Sequence, residues 1–238
     1  MTIEISEEGG VRFLHFGTPW VQGAMRIARP WALELQYTRD MLLPLLLEPL
    51  PWPARVLMVG LGSASLAKFL WRYWPQASLV AVELDSQVIA AAHHHFRLPP
   101  PDHRLQIVQA DGYDWMQTDP QHYDLILLDA FDRNARAHRL ESTEFYAACR
   151  DRLAPGGWIT CNLLTLHRSH AATRRALTAV FGQDWRLLPP CAEGNVVAIA
   201  QVQALPAFDL PALREAATIL RQATHLNLLP LLSRIERN

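Results

Sequence analysis

The chain is poor in the features that would place it quickly, and each shortage excludes something. Cysteine is scarce: Cys149, Cys161 and Cys191 are odd in number, widely spaced and without a paired metal-ligand pattern. They do not describe a secreted disulfide scaffold and suit reduced thiols in a cytoplasmic protein. Net charge is nearly absent, at −1 with a pI near 6.8, so there is no overall electrostatic reason to expect nucleic acid or an anionic membrane as partner. The start, MTIEISEEGG, has acids where a signal peptide needs a basic and then an apolar region. No apolar run approaches the length of a membrane span. Internal repeats and low-complexity segments are also missing. What is present is hydrophobic residue, 50% of 238 positions, enough for a substantial core and too much for a disordered chain. The length fits one α/β domain or such a domain with a small appendage.

Residues 1–30 alternate apolar and polar positions around the turn signal Glu8-Gly9-Gly10, which predicts a small antiparallel β unit. Residues 31–53 are expected to hold a helix over 31–47, including a buried helical Met41–Leu50 stretch broken by Pro44 and Pro49, and then a proline-rich linker. From residue 54 to 238 the pattern changes. ARVLMVGLGSASLAKFLWRYW is an apolar strand, a glycine turn and an amphipathic helix, and ASLVAVELDSQVIAAAHHHF repeats the unit. RLQIVQADGYDWMQ supplies a third unit and YDLILLDAFD a fourth strand. Strands alternating with helices at this spacing predict a doubly wound, mostly parallel sheet with right-handed crossovers. Beyond it come an expected helix over 143–152, a turn at Ala154-Pro155-Gly156-Gly157, a strand over 158–163 and a helix over 171–181. Two β-like runs, 185–188 and 195–200, are close enough to pair as a hairpin, and 210–232 reads as one outer helix.

In a sheet of this kind ligands bind at the carboxyl ends of the strands, where the strand order reverses. The first tip, Val59-Gly60-Leu61-Gly62-Ser63-Ala64-Ser65, removes side chains at Gly60 and Gly62 and leads into a helix N-terminus, as a nucleotide site requires. Taken alone, two glycines after a strand can also form a plain tight turn. The second tip ends in Glu83, about 20 residues past the glycine loop, where a carboxylate can accept both hydroxyls of a ribose. The third carries Asp111 and Gly112. Asp111 can receive an adenine amino group, cap the following helix, or do both. The fourth carries Asp129 and Asp132. The usual dinucleotide fingerprint has a third glycine where this chain has Ser65, so the tips favour an adenosyl-sulfonium ligand, S-adenosylmethionine or a relative, over NAD. Trp115 could wall the adenine pocket.

With VGLG, VELD, ADGYDW, YDLILLDAFD and EFYAACRDRLAPGGW in this order, the sequence resembles the spermidine synthase family, polyamine aminopropyltransferases built on the class I methyltransferase fold. The resemblance runs from about Phe13 to Leu163 and includes Gln22 and Tyr37. It implies decarboxylated S-adenosylmethionine as co-substrate, with Gly60, Gly62, Glu83, Asp111 and Gly112 at the nucleoside. It also implies a small-molecule amine acceptor near Asp132, Gln22 and Tyr37, and by analogy a homodimer. The position matching the acid that helps deprotonate the attacking amine is Asp129. The chain departs from the family in its glycine loop, which lacks the usual acid for the cationic tail, and in Tyr37-Thr38-Arg39, which replaces Tyr-x-Glu. It departs again in a loop bearing Arg133, Arg136, His138 and Arg139. Arginines facing inward would favour an acceptor with an anionic group over a polycation. A small-molecule methyltransferase and a degenerate, non-catalytic binding or interaction module are the alternatives. His93-His94-His95 does not make a metal site, because consecutive helical positions splay around the axis. Cys161 reads as an inert core thiol.

Overall fold

In the computed structural model, which describes residues 2–131, 136–164, 170–192 and 194–237, the N-terminal alternation forms a separate three-stranded antiparallel sheet. Its strands are β1 (Glu4–Glu8), β2 (Val11–His15) and β3 (Gly23–Arg26). Glu8 pairs with Val11 across a two-residue turn whose glycines have φ of 55° and 74°, the sign that the right-handed twist of a hairpin demands and that glycine adopts without penalty. The inner face of this sheet puts Leu14, Phe16 and Met25 against Val88 and Phe96 of the larger body.

The helix expected over 31–47 is much shorter. A single helical segment, α1 (Gln36–Asp40), gives way to a 3₁₀ turn at Leu43–Leu46. After Met41 N bonds to Tyr37 O at 2.9 Å, the pattern tightens to Leu42 N on Arg39 O at 3.0 Å and Leu45 N on Leu42 O at 3.1 Å. Pro44 explains the change, since it has no N–H to continue the ladder and its ring would meet the carbonyl four residues back. Leu42, Leu43 and Leu45 are nonetheless buried, so the apolar pattern marks the core correctly while the proline dictates the backbone.

The main sheet has seven strands, and its elements run β4 (Arg55–Val59), α2 (Ser65–Tyr73), β5 (Ser78–Glu83), α3 (Ser86–Phe96), β6 (Leu105–Gln109), α4 (Gly112–Thr118) and β7 (Tyr123–Leu128). There follow α5 (Thr143–Asp151), β8 (Leu153–Leu164), α6 (His170–Phe181), β9 (Trp185–Leu187) and β10 (Asn195–Gln201), then α7 (Leu210–Thr224) and α8 (Leu229–Glu236). The spatial order is β6-β5-β4-β7-β8-β10-β9. The first five are mutually parallel, and β10 runs antiparallel to both β8 and β9, so the expected C-terminal hairpin is present. The central strands are apolar throughout because helices cover both faces. Val56 and Met58 join one core cluster and Leu57 and Val59 the other, as a period of two dictates.

Two further expectations are corrected. The turn at residues 154–157 is absorbed into β8, where the pairing to β7 slips between Tyr123 and Leu125 and Gly156 has φ of 73°. The outer helix is two helices, parted at His225, whose φ of 64° ends α7 in the left-handed region. Arg234 of α8 then reaches back to pair with buried Asp40 of α1, which also accepts a hydrogen bond from the Cys191 thiol at 3.1 Å.

The chain order of the strands reverses at β4 and β7, and there the backbone is most crowded. Gly60, with φ of 94°, lies so near Asp129 that a Cβ would overlap the Asp129 carbonyl group. Gly60→Ala is therefore expected to cost roughly 2–4 kcal/mol, from overpacking and an unfavourable φ together. Urea unfolding checks this, and a midpoint within error of the parent would show that the strand tips can separate.

Candidate active site

The tips of β5, β4 and β7 are stitched side by side. Gly60 N donates to Val82 O at 2.9 Å, and Asp129 N donates to Val59 O at 2.9 Å. Leu61 N donates to Oε2 of Glu83 at 2.9 Å. Above them opens a cavity of about 870 Å³ whose wall includes Gly60, Gly62, Glu83, Asp111, Gly112 and Asp129. Gln22, from the loop before β3, and Tyr37 of α1 also line it. These eight residues are thus brought to one cavity at the switch point of the sheet, whereas Trp115 is not. Asp132, together with Arg133, lies outside the described residues.

Asp129 is the centre of the polar wall. Tyr37 donates its hydroxyl to Oδ2 at 3.0 Å, and Asn162 of β8 donates its amide to Oδ1 at 2.8 Å. Asn195 of β10 in turn donates to the amide oxygen of Asn162 at 2.8 Å. Tyr37, Asn162 and Asn195 are all buried. Burial raises the Asp129 pKa above the usual carboxylate range; the bonds from Asn162 and Tyr37 oppose that rise, and the charge of Glu83 adds to it. The result is a carboxylate that can take a proton more readily than a solvated one, at the edge of a space large enough for a substrate.

The end formed by Glu83 and Asp111 is built differently. Glu83 holds two backbone N–H groups, of Leu61 at 2.9 Å and Asp85 at 3.0 Å, and its pKa is raised, chiefly by burial. Each oxygen keeps a lone pair for a further donor. Asp111 caps α4, accepting from Tyr113 N at 2.8 Å and Asp114 N at 3.3 Å, while also lining the cavity, so the capping role and an exposed acceptor coexist. Gly112 is required by packing, since a Cβ there would overlap Val59. Trp115 does not line the cavity; Tyr113 does. Trp115 instead packs with the core on the α4 and α5 side of the sheet, because a position two residues further along a helix points away from its neighbour's face.

Arg136, His138 and Arg139 also line the cavity. The Arg139 guanidinium lies 3.8 Å from the centroid of the Tyr113 ring and pairs with Asp114 at 3.2 Å, so it extends the wall on the Asp111 side. Asn162 and Asn195 were not among the residues expected at the site. The available signal was a lone polar residue near the carboxyl end of an apolar strand, which carries no motif. No group of three or more potential metal-ligating side chains occurs among the described residues. Burial pushes the Cys161 thiol up to about 12, as fits a core thiol.

A doubly wound, mostly parallel sheet with an antiparallel C-terminal hairpin defines a protein of the methyltransferase fold. Solved structures share that fold: a probable spermidine synthase from Corynebacterium glutamicum has a TM-score of 0.75 at 18% identity, covering 94% of this chain and 91% of that one. Human methyltransferase-like protein 13, in complex with SAH, has a TM-score of 0.69 at 23% identity, covering 80% and 92%. Residues 35–180 match the family described as the spermine/spermidine synthase domain, and the chain belongs to that family. The polyamine aminopropyltransferase of Chromobacterium violaceum is 35% identical over 218 residues, 90% of this chain and 82% of that protein. The enzyme of the same name from Neisseria meningitidis is 32% identical over 198 residues, covering 83% and 75%.

The raised pKa has a consequence for stability. A carboxylate whose folded pKa is raised supports folding below its unfolded pKa and loses that support as pH rises through the folded value. Ionised Asp129 therefore lowers stability at about pH 8, where its isostere does not. Asp129→Asn is expected to unfold at higher temperature than the parent at that pH, with the gap closing as the pH falls into the carboxylate range. Thermal melts across pH check this, and a gap that does not depend on pH would contradict it.

Proposed function

We propose that this chain transfers an aminopropyl group from decarboxylated S-adenosylmethionine to a small-molecule amine. The observation that carries the reading is Asp129, held by Tyr37 and Asn162 in the same cavity as Glu83 and Asp111, in a member of the spermine/spermidine synthase domain family. In the reaction the amine lone pair forms the new C–N bond as the C–S bond of the sulfonium breaks, and methylthioadenosine leaves with the bonding electrons. Glu83 takes the ribose hydroxyls, and Asp111 faces the adenine amino group. Gly60, Gly62 and Gly112 keep the floor free of side chains.

Asp129 acts on the acceptor. An amine arrives as a cation but attacks only when neutral, so a carboxylate beside it can bind the ammonium, orient it and receive its proton. Tyr37 and Gln22 line the cavity with Asp129 and complete the acceptor site. The sulfonium is already an activated leaving group, so positioning supplies much of the rate. The reading extends to a division at 1–30, 31–53 and 54–238, supported by the separate N-terminal sheet, and to a homodimer, supported by the family resemblance. A cytoplasmic location is supported by three buried cysteines outside any disulfide. No helix among the described residues is long and apolar enough to cross a membrane.

Calorimetry with decarboxylated S-adenosylmethionine, S-adenosylmethionine and methylthioadenosine tests the nucleoside assignment. The decarboxylated form should bind more tightly than the carboxylated one, and the opposite order would overturn aminopropyl transfer. Asp129→Asn should lose roughly a hundredfold or more in kcat/KM, within the range for a positioned proton acceptor, with methylthioadenosine affinity retained. Turnover near the parent level in that variant would remove Asp129 from the chemistry.

A further inference from the structure

The acceptor wall contains one device whose action goes past holding a carboxylate in place. We propose that Asn195 is a positioning residue for Asp129: its amide fixes Asn162 with the NH2 group toward the carboxylate and the carbonyl oxygen away from it. The inference rests on the assignment of Asp129 to the amine site.

A carboxamide has nearly the same shape when turned over, but its donor and acceptor exchange places. With NH2 toward Asp129, Asn162 stabilises the ionised carboxylate. With the carbonyl toward it, two acceptors would meet, an arrangement acceptable only while Asp129 carries a proton. Asp129 alone does not choose between these states once it titrates. The choice is made at the other end of Asn162, where the Nδ2 of Asn195 donates to Oδ1 at 2.8 Å, leaving Nδ2 of Asn162 for Asp129 at 2.8 Å. The strand register makes this possible: Asn195 of β10 sits opposite Leu164 of β8, two positions past Asn162. Side chains two apart share a face, and such diagonal neighbours can touch. Asn162 and Asn195 are 5% and 6% exposed, so water competes poorly for either amide.

The backbone that carries Asn195 is itself held. Cys191 N donates to Asn195 O at 2.7 Å, the Cys191 thiol donates to Asp40, and Ala192 N donates to Oε1 of Gln36 at 3.4 Å. Gln36 and Asp40 belong to α1, the helix that delivers Tyr37, so the segment leading into Asn195 and the helix carrying Tyr37 are tied together. Among the described residues, the titratable groups acting on Asp129 are Tyr37 from α1 and Glu83 from β5. Asp85, Asp111, Arg136 and His138 line the same cavity. Asn162 and Asn195 line that cavity too, and substitutions at residue 195 leave the identity of each of these titratable groups as it is.

Asn195→Leu removes the donor at similar volume without adding charge, and Asn195→Asp replaces the donor by an acceptor, which reverses the relay. Carbon-13 NMR titration of the Asp129 carboxyl, identified by its loss in Asp129→Asn, should move to higher pH in Asn195→Leu and further in Asn195→Asp. In Asn195→Leu, kcat/KM near neutral pH should fall about tenfold and recover as pH rises, part of what a positioned proton acceptor supplies. Methylthioadenosine affinity should not change. An unmoved carboxyl titration in both variants, or a loss of kcat/KM that is the same at every pH, would overturn the proposal. If Asn195→Leu does not fold, Asn195→Ala gives the same reading. A parent enzyme that transfers no aminopropyl group would defeat the proposed function, while the carboxyl titration would still decide whether Asn195 sets the amide.

Discussion

Burial works against the charge of Asp129, and the site is organised around that cost. A carboxylate withdrawn from water needs donors, and here they come from well-separated parts of the chain: Tyr37 from α1 and Asn162 from β8. The position of the carboxylate is set in turn by the contact between Gly60 and Asp129 at the reversal of strand order, where β4 and β7 lie side by side. Without a glycine there the two tips could not close, and Glu83 and Asp129 would no longer share one cavity.

The same constraint explains how the two ends of the cavity differ. On the β5 and β6 side, Glu83 and Asp111 are tied to backbone N–H groups, so their oxygens are fixed in direction and suited to the hydroxyl and amino groups of a nucleoside. On the β7, β8 and β10 side, Asp129 is held by side chains, and its proton affinity depends on which way those side chains point. Such an arrangement suits a group that must change protonation state. The C-terminal elements take part: α8 grips Asp40 through Arg234, Asp40 takes the Cys191 thiol, and α1 presents Tyr37 to the carboxylate.

Much of this is legible in the sequence because parallel strands covered on both faces write themselves as apolar runs, and an acid at a strand end stands out against them. Glu83, Asp111 and Asp129 stand out in that way, and all three line the cavity. Where backbone chemistry overruled the hydrophobic pattern, the reading failed. Pro44 turned a buried helix into a 3₁₀ turn, and the left-handed His225 split the outer helix. Trp115 was placed at the adenine by proximity in sequence, whereas the helix turns Tyr113 to the cavity instead. Asn162 and Asn195 were missed because their role arises from an antiparallel register between β8 and β10, which no local spacing encodes.

If Asp129 receives the proton of the attacking amine, its donors tune the pH at which it does so. The most direct measurement is the pH dependence of kcat/KM for methylthioadenosine release in the parent and in Tyr37→Phe. Because burial raises the Asp129 pKa, activity in the parent should fall on the acid side at a pH above the ordinary carboxylate range. Losing the Tyr37 hydroxyl, which favours the ionised form, should move that limb to higher pH. A limb that stays in place in Tyr37→Phe, or that persists unchanged in the residual activity of Asp129→Asn, would contradict the account.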